Sequence, residues 1–288
     1  MRSRLGEGGF SFIDLVEDAR TRQLYALKRI ACHSNQDEKV AEDEVKYMKS
    51  FDHPNLIPCE VSEKVRIHDS RIGVQSEVLI VMPFYRRGSL WDEIETNCTK
   101  KRNMTEARVL YLLSGICDGL KEMHTHNPTS YAHRDIKPQN VMLSDDDVPV
   151  LMDFGSVDAA RHMITTASEA RSMQDQAAER CTMPYRAPEL FHVETDSIVD
   201  EKTDIWSLGC LAYAMCFYSS PFDEAYQKGG SIALAVLSKV IMPATQVYSP
   251  GLLSLIEDML TIDPMLRPDL DAINQTLHSL ESASENRV

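Results

Sequence analysis

The chain has 288 residues, 43 % of them hydrophobic and 26 % charged, with a formal net charge of −14; that length allows one large domain or two small lobes with substantial cores. The acidic balance argues against non-specific nucleic-acid binding, which needs a basic footprint. The seven cysteines are odd in number and contain no C-x-x-C pair, so neither a disulfide framework nor a zinc site is suggested and a reducing compartment fits.

Residues 1–30 alternate short apolar and polar stretches around glycines, which predicts two strands joined by a glycine turn and a third strand over 24–30. Residues 37–51 are charged with helical spacing and predict a helix. Val78 to Met82 reads as a short buried strand that Pro83 stops, and Arg86-Arg87-Gly88 as a connector. Beyond residue 88 the pattern is helical. Thr105 is placed as an N-cap, and Val109, Leu113, Ile116, Leu120 and Met123 follow at steps of four and three, the stripe of a packed helix. Further helices are predicted over 205–218 and 252–260. The longest mainly apolar run, Ile205 to Tyr218, is shorter than the roughly 20 residues that span a bilayer, so it reads as a buried helix. Residues 281–288 are polar and read as a flexible tail. A strand-rich part thus meets a helix-rich part near residues 83–88. No internal repeat and no secretory signal stands out.

The chemistry sits in a series of short motifs. Gly6-Glu7-Gly8-Gly9 precedes a strand, and glycines let a backbone approach phosphates with free N–H groups pointing at them; alone, such a hairpin is most often only a turn. Lys28 lies mid-strand on the face of Ala26. A lone strand lysine is normally solvated, but Glu44 on the following helix is placed to hold it extended as a fixed charge for phosphates. His133-Arg134-Asp135-Ile136-Lys137-Pro138-Gln139-Asn140 carries an aspartate to accept a hydroxyl proton, a lysine to neutralise a phosphoryl group and an asparagine to ligate Mg²⁺. Asp153-Phe154-Gly155 follows a buried strand and offers a carboxylate to a hard cation. Ala187-Pro188-Glu189, then Asp204-Ile205-Trp206-Ser207-Leu208-Gly209 and Arg267 complete the order.

In that order the motifs resemble the eukaryotic protein kinases along essentially the whole chain. The local text is most similar to the Numb-associated kinases and their small myristoylated and palmitoylated Golgi-associated branch. It is carried by Leu5–Ser11 (LGEGGFS), Tyr25–Ile30 (YALKRI), Tyr131–Asp135 (YAHRD), Val150–Asp153 (VLMD), Cys181-Thr182 with Tyr185–Leu190, and Asp204–Cys210 (DIWSLGC). The resemblance implies an α+β bilobal fold: a small antiparallel sheet with one helix over residues 1–82, a hinge over 83–87 and a mainly helical lobe over 88–280. It implies a serine/threonine protein kinase that uses ATP and Mg²⁺ on protein substrates, with autophosphorylation left open. Asp135 would be the catalytic base, Lys137 would stabilise the transferring group, and Asn140 and Asp153 would hold Mg²⁺. Lys28, paired to Glu44, would contact the α- and β-phosphates beneath Leu5, Gly6, Gly8 and Ser11. Ile13, Ala26 and Met142 would sandwich adenine, Met82 would be the gatekeeper, and the Tyr85 N–H would meet the purine. Glu189 and Arg267 would form a buried ion pair. The location implied is cytoplasmic, or a Golgi or endomembrane surface.

Some positions depart from the family pattern. Ser11 replaces the usual third glycine, Cys181 replaces a common glycine, and the segment from Asp153 to Glu189 is long, with helix-forming composition over 167–179. Lipidation in the branch relies on an N-terminal glycine and a nearby cysteine, whereas Arg2 stands second here and the first cysteine is Cys32, so no lipid site is visible. The first strand is expected to be short and poorly anchored, as in a truncated chain. Asp145 to Asp147 read as a solvated turn, and His124 and His126 as cations at a helix C-terminus. Thr165, Thr166, Ser168 and Ser172 are candidate phosphorylation sites whose phosphate could pair with Arg134. Two rival classes are a pseudokinase binding module, which would lose Lys28, Asp135 or Asp153, and a small-molecule kinase, which would lack Ala187-Pro188-Glu189.

Overall fold

In the computed structural model, which describes residues 3–7, 11–67 and 73–285, strand-rich and helix-rich halves enclose a cleft. The first half holds β1 (Ser3–Glu7), β2 (Ser11–Glu17), β3 (Leu24–Cys32), helix α1 (Asn35–Ser50), β4 (Val61–Arg66) and β5 (Ser76–Pro83). The five strands form one antiparallel sheet in the order β1-β2-β3-β5-β4. Period-two alternation is plainest in β5, where Ser76, Val78, Ile80 and Met82 are buried and their neighbours half-exposed. Ser34 caps α1 in a reciprocal box with Asp37, and the helix buries Ala41, Glu44 and Met48.

β1 is short and mostly exposed, as expected, yet it is anchored. It pairs with β2; the Arg4 guanidinium lies 3.3 Å from the fully buried Asp14 carboxylate and 4.2 Å over the Phe12 ring. The expectation of a poorly anchored first strand is thus corrected: Arg4 holds this edge through its ion pair and its ring contact.

The second half begins with α2 (Leu90–Thr99) and α3 (Glu106–His124). Thr105 caps α3 by accepting from Arg108 N. The predicted stripe, Val109, Leu113, Ile116, Leu120 and Met123, is wholly buried. Short strand pairs follow: β6 (Tyr131–Ala132) with β9 (Asp158–Ala159), β7 (Val141–Leu143) with β8 (Pro149–Leu151), and β10 (His162–Ile164) with β11 (Ser197–Val199). Between β10 and β11 lies α4 (Ala167–Arg180), the helix its composition predicted, capped by Thr166 and Glu169. Then come α5 (Lys202–Phe217), buried along nearly its whole length, α6 (Asp223–Gln227), α7 (Ile232–Ala235), α8 (Pro250–Met259) and α9 (Leu270–Glu285). α9 continues to Glu285, so the expected tail is helical over 281–285; hydroxyls such as Ser279 donate back to carbonyls a turn earlier and accommodate the polar composition.

One apolar core runs through both halves, from Ala26 to Leu277. The halves are joined at His53-Pro54-Asn55. Asn55 Nδ2 donates to the Pro149 carbonyl at 2.8 Å, Leu151 N donates to the Asn55 carbonyl at 2.8 Å, and Ile57 N donates to the Leu151 carbonyl at 2.9 Å. α3 passes so close that a Cβ on Gly119 would sit 2.9 Å from the Asn55 carbonyl oxygen. No helix among the described residues is long and apolar enough to cross a membrane.

Candidate active site

The cleft between the halves is walled above by β1 to β3 and below by two loops, residues 133–140 and 153–156. Lys28 and Ala26 share the inner face of β3, as alternate strand residues must. α1 lies against that face and presents Glu44. Lys28 Nζ donates to Glu44 Oε1 at 2.7 Å and to Asp153 Oδ1 at 2.6 Å. Burial opposes the ammonium, but the two carboxylates outweigh it and hold Lys28 above its usual range. Lys28 in turn holds the Asp153 carboxyl below the usual carboxylate range. Glu44, 4 % exposed, is pushed up by burial, since one ammonium is shared between two acids.

The lower loop is organised around Asp135. Lys137 Nζ donates to Asp135 Oδ2 and to Thr182 Oγ1, both at 2.7 Å. Asn140 Nδ2 donates to Asp135 Oδ2 and to its carbonyl, both at 2.9 Å, and Thr182 N donates to Oδ1 at 2.9 Å. The carboxylate is thereby oriented by groups from three positions along the chain. The loop is supported from below by Asp204 of α5, a fully buried carboxylate that accepts from the backbone N–H groups of His133 at 2.7 Å and Arg134 at 2.8 Å. Arg134 and Asp153 both have φ of +67°, a region that non-glycine residues enter at a cost of about 1–3 kcal/mol. For Arg134, the Asp204 bonds supply the compensation.

Two adjoining cavities make up the cleft. One, of about 400 Å³, is lined by Leu5, Gly6, Ile13, Ala26, Met82, Tyr85 and Met142. The other, of about 970 Å³, is lined by Gly6, Ser11, Ile13, Lys28, Lys137, Asn140 and Asp153. Glu44 and Asp135 join them through the hydrogen bonds above. Gly8 lies outside the described residues. Sequence reasoning missed Met152, Gln139 and Ile57 as lining residues; Met152 and Gln139 adjoin motif residues, but Ile57 carries no local signal.

Three sequence readings need correction or completion. His124 does more than cap a helix end: its Nε2 lies 2.9 Å from Asp204 Oδ2, because α3 ends against the buried start of α5. Arg134 is not free for a phosphate; its guanidinium is buried and donates to Thr203 Oγ1 at 2.8 Å and to the Ala160 carbonyl at 2.9 Å. Asp147 is a turn residue, with φ of +69°, yet it accepts from both Arg87 and Arg108. The expected Glu189–Arg267 pair is present, bidentate at 2.7 and 2.8 Å, with the Arg267 side chain fully enclosed and its guanidinium over Trp206. Burial pushes the Cys181 thiol up to about 12, so it is no activated thiolate.

A family model described as protein kinase domain matches residues 1–279. The chain is 44 % identical over 278 residues to serine/threonine-protein kinase 16 of Homo sapiens, an overlap covering 96 % of this chain and 88 % of that protein. It is 35 % identical over 296 residues to serine/threonine-protein kinase ppk13 of Schizosaccharomyces pombe, covering 92 % and 85 %. Against serine/threonine-protein kinase ENV7 of Saccharomyces cerevisiae the identity is 30 % over 333 residues, covering 96 % and 90 %.

Proposed function

Since the chain belongs to the protein kinase family and is a serine/threonine protein kinase, we propose that it transfers the γ-phosphoryl group of MgATP to serine or threonine hydroxyls of proteins. The observation that carries this reading is the convergence of Lys137, Asn140 and Thr182 on Asp135, in a cleft where Lys28 of the roof bridges Glu44 of α1 and Asp153 of the lower wall. Asp135 accepts the proton of the incoming hydroxyl and orients its oxygen. Lys137 lies on the same carboxylate, where it meets the charge of the phosphoryl group in transfer. Lys28, braced by Glu44, holds the α- and β-phosphates. Adenine lies between Ile13 and Ala26 above and Met142 below, past Met82, with the Tyr85 N–H donating to the ring.

The donor set suits Mg²⁺. Asn140 turns its amide nitrogen onto Asp135, leaving its amide oxygen for a hard cation, and Asp153 supplies a carboxylate held in its charged form. When bound, the ion neutralises phosphate charge. The chain's own residues position and orient; they need no covalent step. The proposed location is the cytoplasm or the cytoplasmic surface of Golgi or other endomembranes.

Asp135→Asn tests the assignment. The amide keeps the shape and some hydrogen bonds but is no base, so the purified variant should fold with a near-normal Tm and lose nearly all transfer of ³²P to peptide. A folded Asp135→Asn protein with wild-type turnover would overturn the assignment of Asp135 as the base, whereas absence of transfer by the unaltered chain would favour a binding module on the same fold.

A further inference from the structure

A second depression opens beside the catalytic cleft. It has a volume of about 420 Å³ and is lined by Tyr213, Phe217, Tyr248, Pro221 and Pro243. Its floor is a chain of rings. Tyr213 and Phe217 lie 4.6 Å apart between centroids, and Phe217 and Tyr248 meet edge to face at 6.0 Å. The floor is rigid, because Tyr248 is 5 % exposed and its hydroxyl donates to the Met104 and Cys216 carbonyls at 3.1 and 3.2 Å. Tyr213 and Phe217 are only half-buried, and both line the trough.

Two residues, Tyr218 and Ser219, line both this trough and the cleft that holds Lys137 and Asn140. Tyr218 is the residue that ends α5, and its φ is +72°. Helix ends of this kind favour glycine, and a bulky residue there is an outlier. Tyr218 is held across the trough: its backbone N–H donates to the Ala214 carbonyl at 2.8 Å, and its hydroxyl donates to Asn103 Oδ1 at 2.7 Å. Asn103 itself lines the trough. An aromatic side chain has thus been fixed at the junction, in a backbone conformation that disfavours it.

We propose that the trough is an accessory substrate subsite. It takes an apolar ring, aromatic or proline, from the same polypeptide whose serine or threonine hydroxyl lies at Asp135. Because Tyr218 and Ser219 line both cavities, a substrate segment leaving the cleft over Tyr218 comes next to this floor. Stacked and edge-to-face contacts with Tyr213 and Phe217 favour an aromatic ring, and proline, whose ring is saturated and pre-ordered, packs its C–H groups on the same side chains at less entropic cost than a flexible aliphatic chain. The occupant is a substrate segment, because the trough continues the cleft where substrate binds. The inference rests on the protein kinase reading above.

The test uses the full chain with MgATP and a series of acceptor peptides. Each peptide has one Phe or Pro walked along either side of a single Thr, with an alanine parent for comparison. The quantity read is the ratio of kcat/KM with the ring to kcat/KM without it, within one enzyme. In the unaltered chain the ratio should reach about tenfold at one or two ring positions, and it should fall towards one in Tyr218→Gly and in Tyr213→Ser. Because both halves of the ratio come from the same preparation, a lowered folded fraction cancels. Equal kcat/KM for all peptides overturns the subsite while leaving the kinase reading intact, as does a ratio unchanged in both variants. Absence of transfer to any peptide overturns both. A changed oligomeric state in the variants, with the ratio unaltered, would assign the trough to a second copy and overturn the proposal.

Discussion

Asp204 shows how one residue supports chemistry it never touches. Its carboxylate is fully buried, yet it accepts two backbone N–H bonds and faces His124. Burial pushes its carboxyl up, but His124, His133 and Arg134 outweigh that and hold it below the ordinary 3.8. A carboxyl depressed on folding contributes stability that is complete above the unfolded value and is lost as pH falls through the folded one. Tm measured against pH should therefore show Asp204→Asn well below the unaltered chain at neutral pH, with the gap closing as pH falls below about 4. A gap of constant size down to pH ~2 would show that the charge of Asp204 is not what stabilises the loop.

Elements are joined through buried arginines in the short turns that connect them. The segment between α4 and α5 carries Glu189, and the turn before α9 carries Arg267. Their bidentate pair, together with Arg267 donating to the Thr261, Ile262 and Lys202 carbonyls, ties the two stretches together. Removing one partner of a buried pair leaves the other without compensation and costs about 3–5 kcal/mol. Arg267→Ala should lower stability by that order in urea denaturation, and peptide phosphorylation at a temperature near its reduced Tm should fall in parallel. α4 is a second case: its end is fastened to its surroundings by Ser156 Oγ and Arg186 donating to the Arg180 and Cys181 carbonyls. Burial lowers the pKa of the Arg186 guanidinium, which faces helix-end carbonyls in place of a carboxylate.

At the scale of the whole molecule, the halves share a core, and the Asn55 loop is the joint. Gly119 permits the joint, since any Cβ there meets the Asn55 backbone and side chain within 3.2 Å. Overpacking of this kind typically costs about 1–3 kcal/mol. Gly119→Ala should lower Tm in calorimetry despite alanine's better helix propensity, and it should disturb the lower wall of the cleft as well as the sheet. An unchanged or raised Tm would mean that α3 moves aside freely. The single shared core also predicts one calorimetric transition for the unaltered chain rather than separate melting of two lobes.

Local pattern determined the first three strands, the strand over 78–82, the helices near 37–51, 105–123, 205–218 and 252–260 and the extra helix over 167–179, because period, caps and composition are properties of short stretches. The motif order also determined the chemistry: Lys28, Asp135, Asn140 and Asp153 belong to a recognisable series although they are far apart in the chain. Tertiary structure decided what depends on residues meeting across long separations. It brought Asp204 beneath Arg134 and His124 onto Asp204, filled the hydrogen-bonding capacity of Arg134 without a phosphate, and held β1 by Arg4 on a buried aspartate. It also set Tyr218 at a glycine-favouring helix end, between two cavities. A charged side chain carries no local sign of its partner, because the desolvation and pairing that determine its role arise only when the chain is packed.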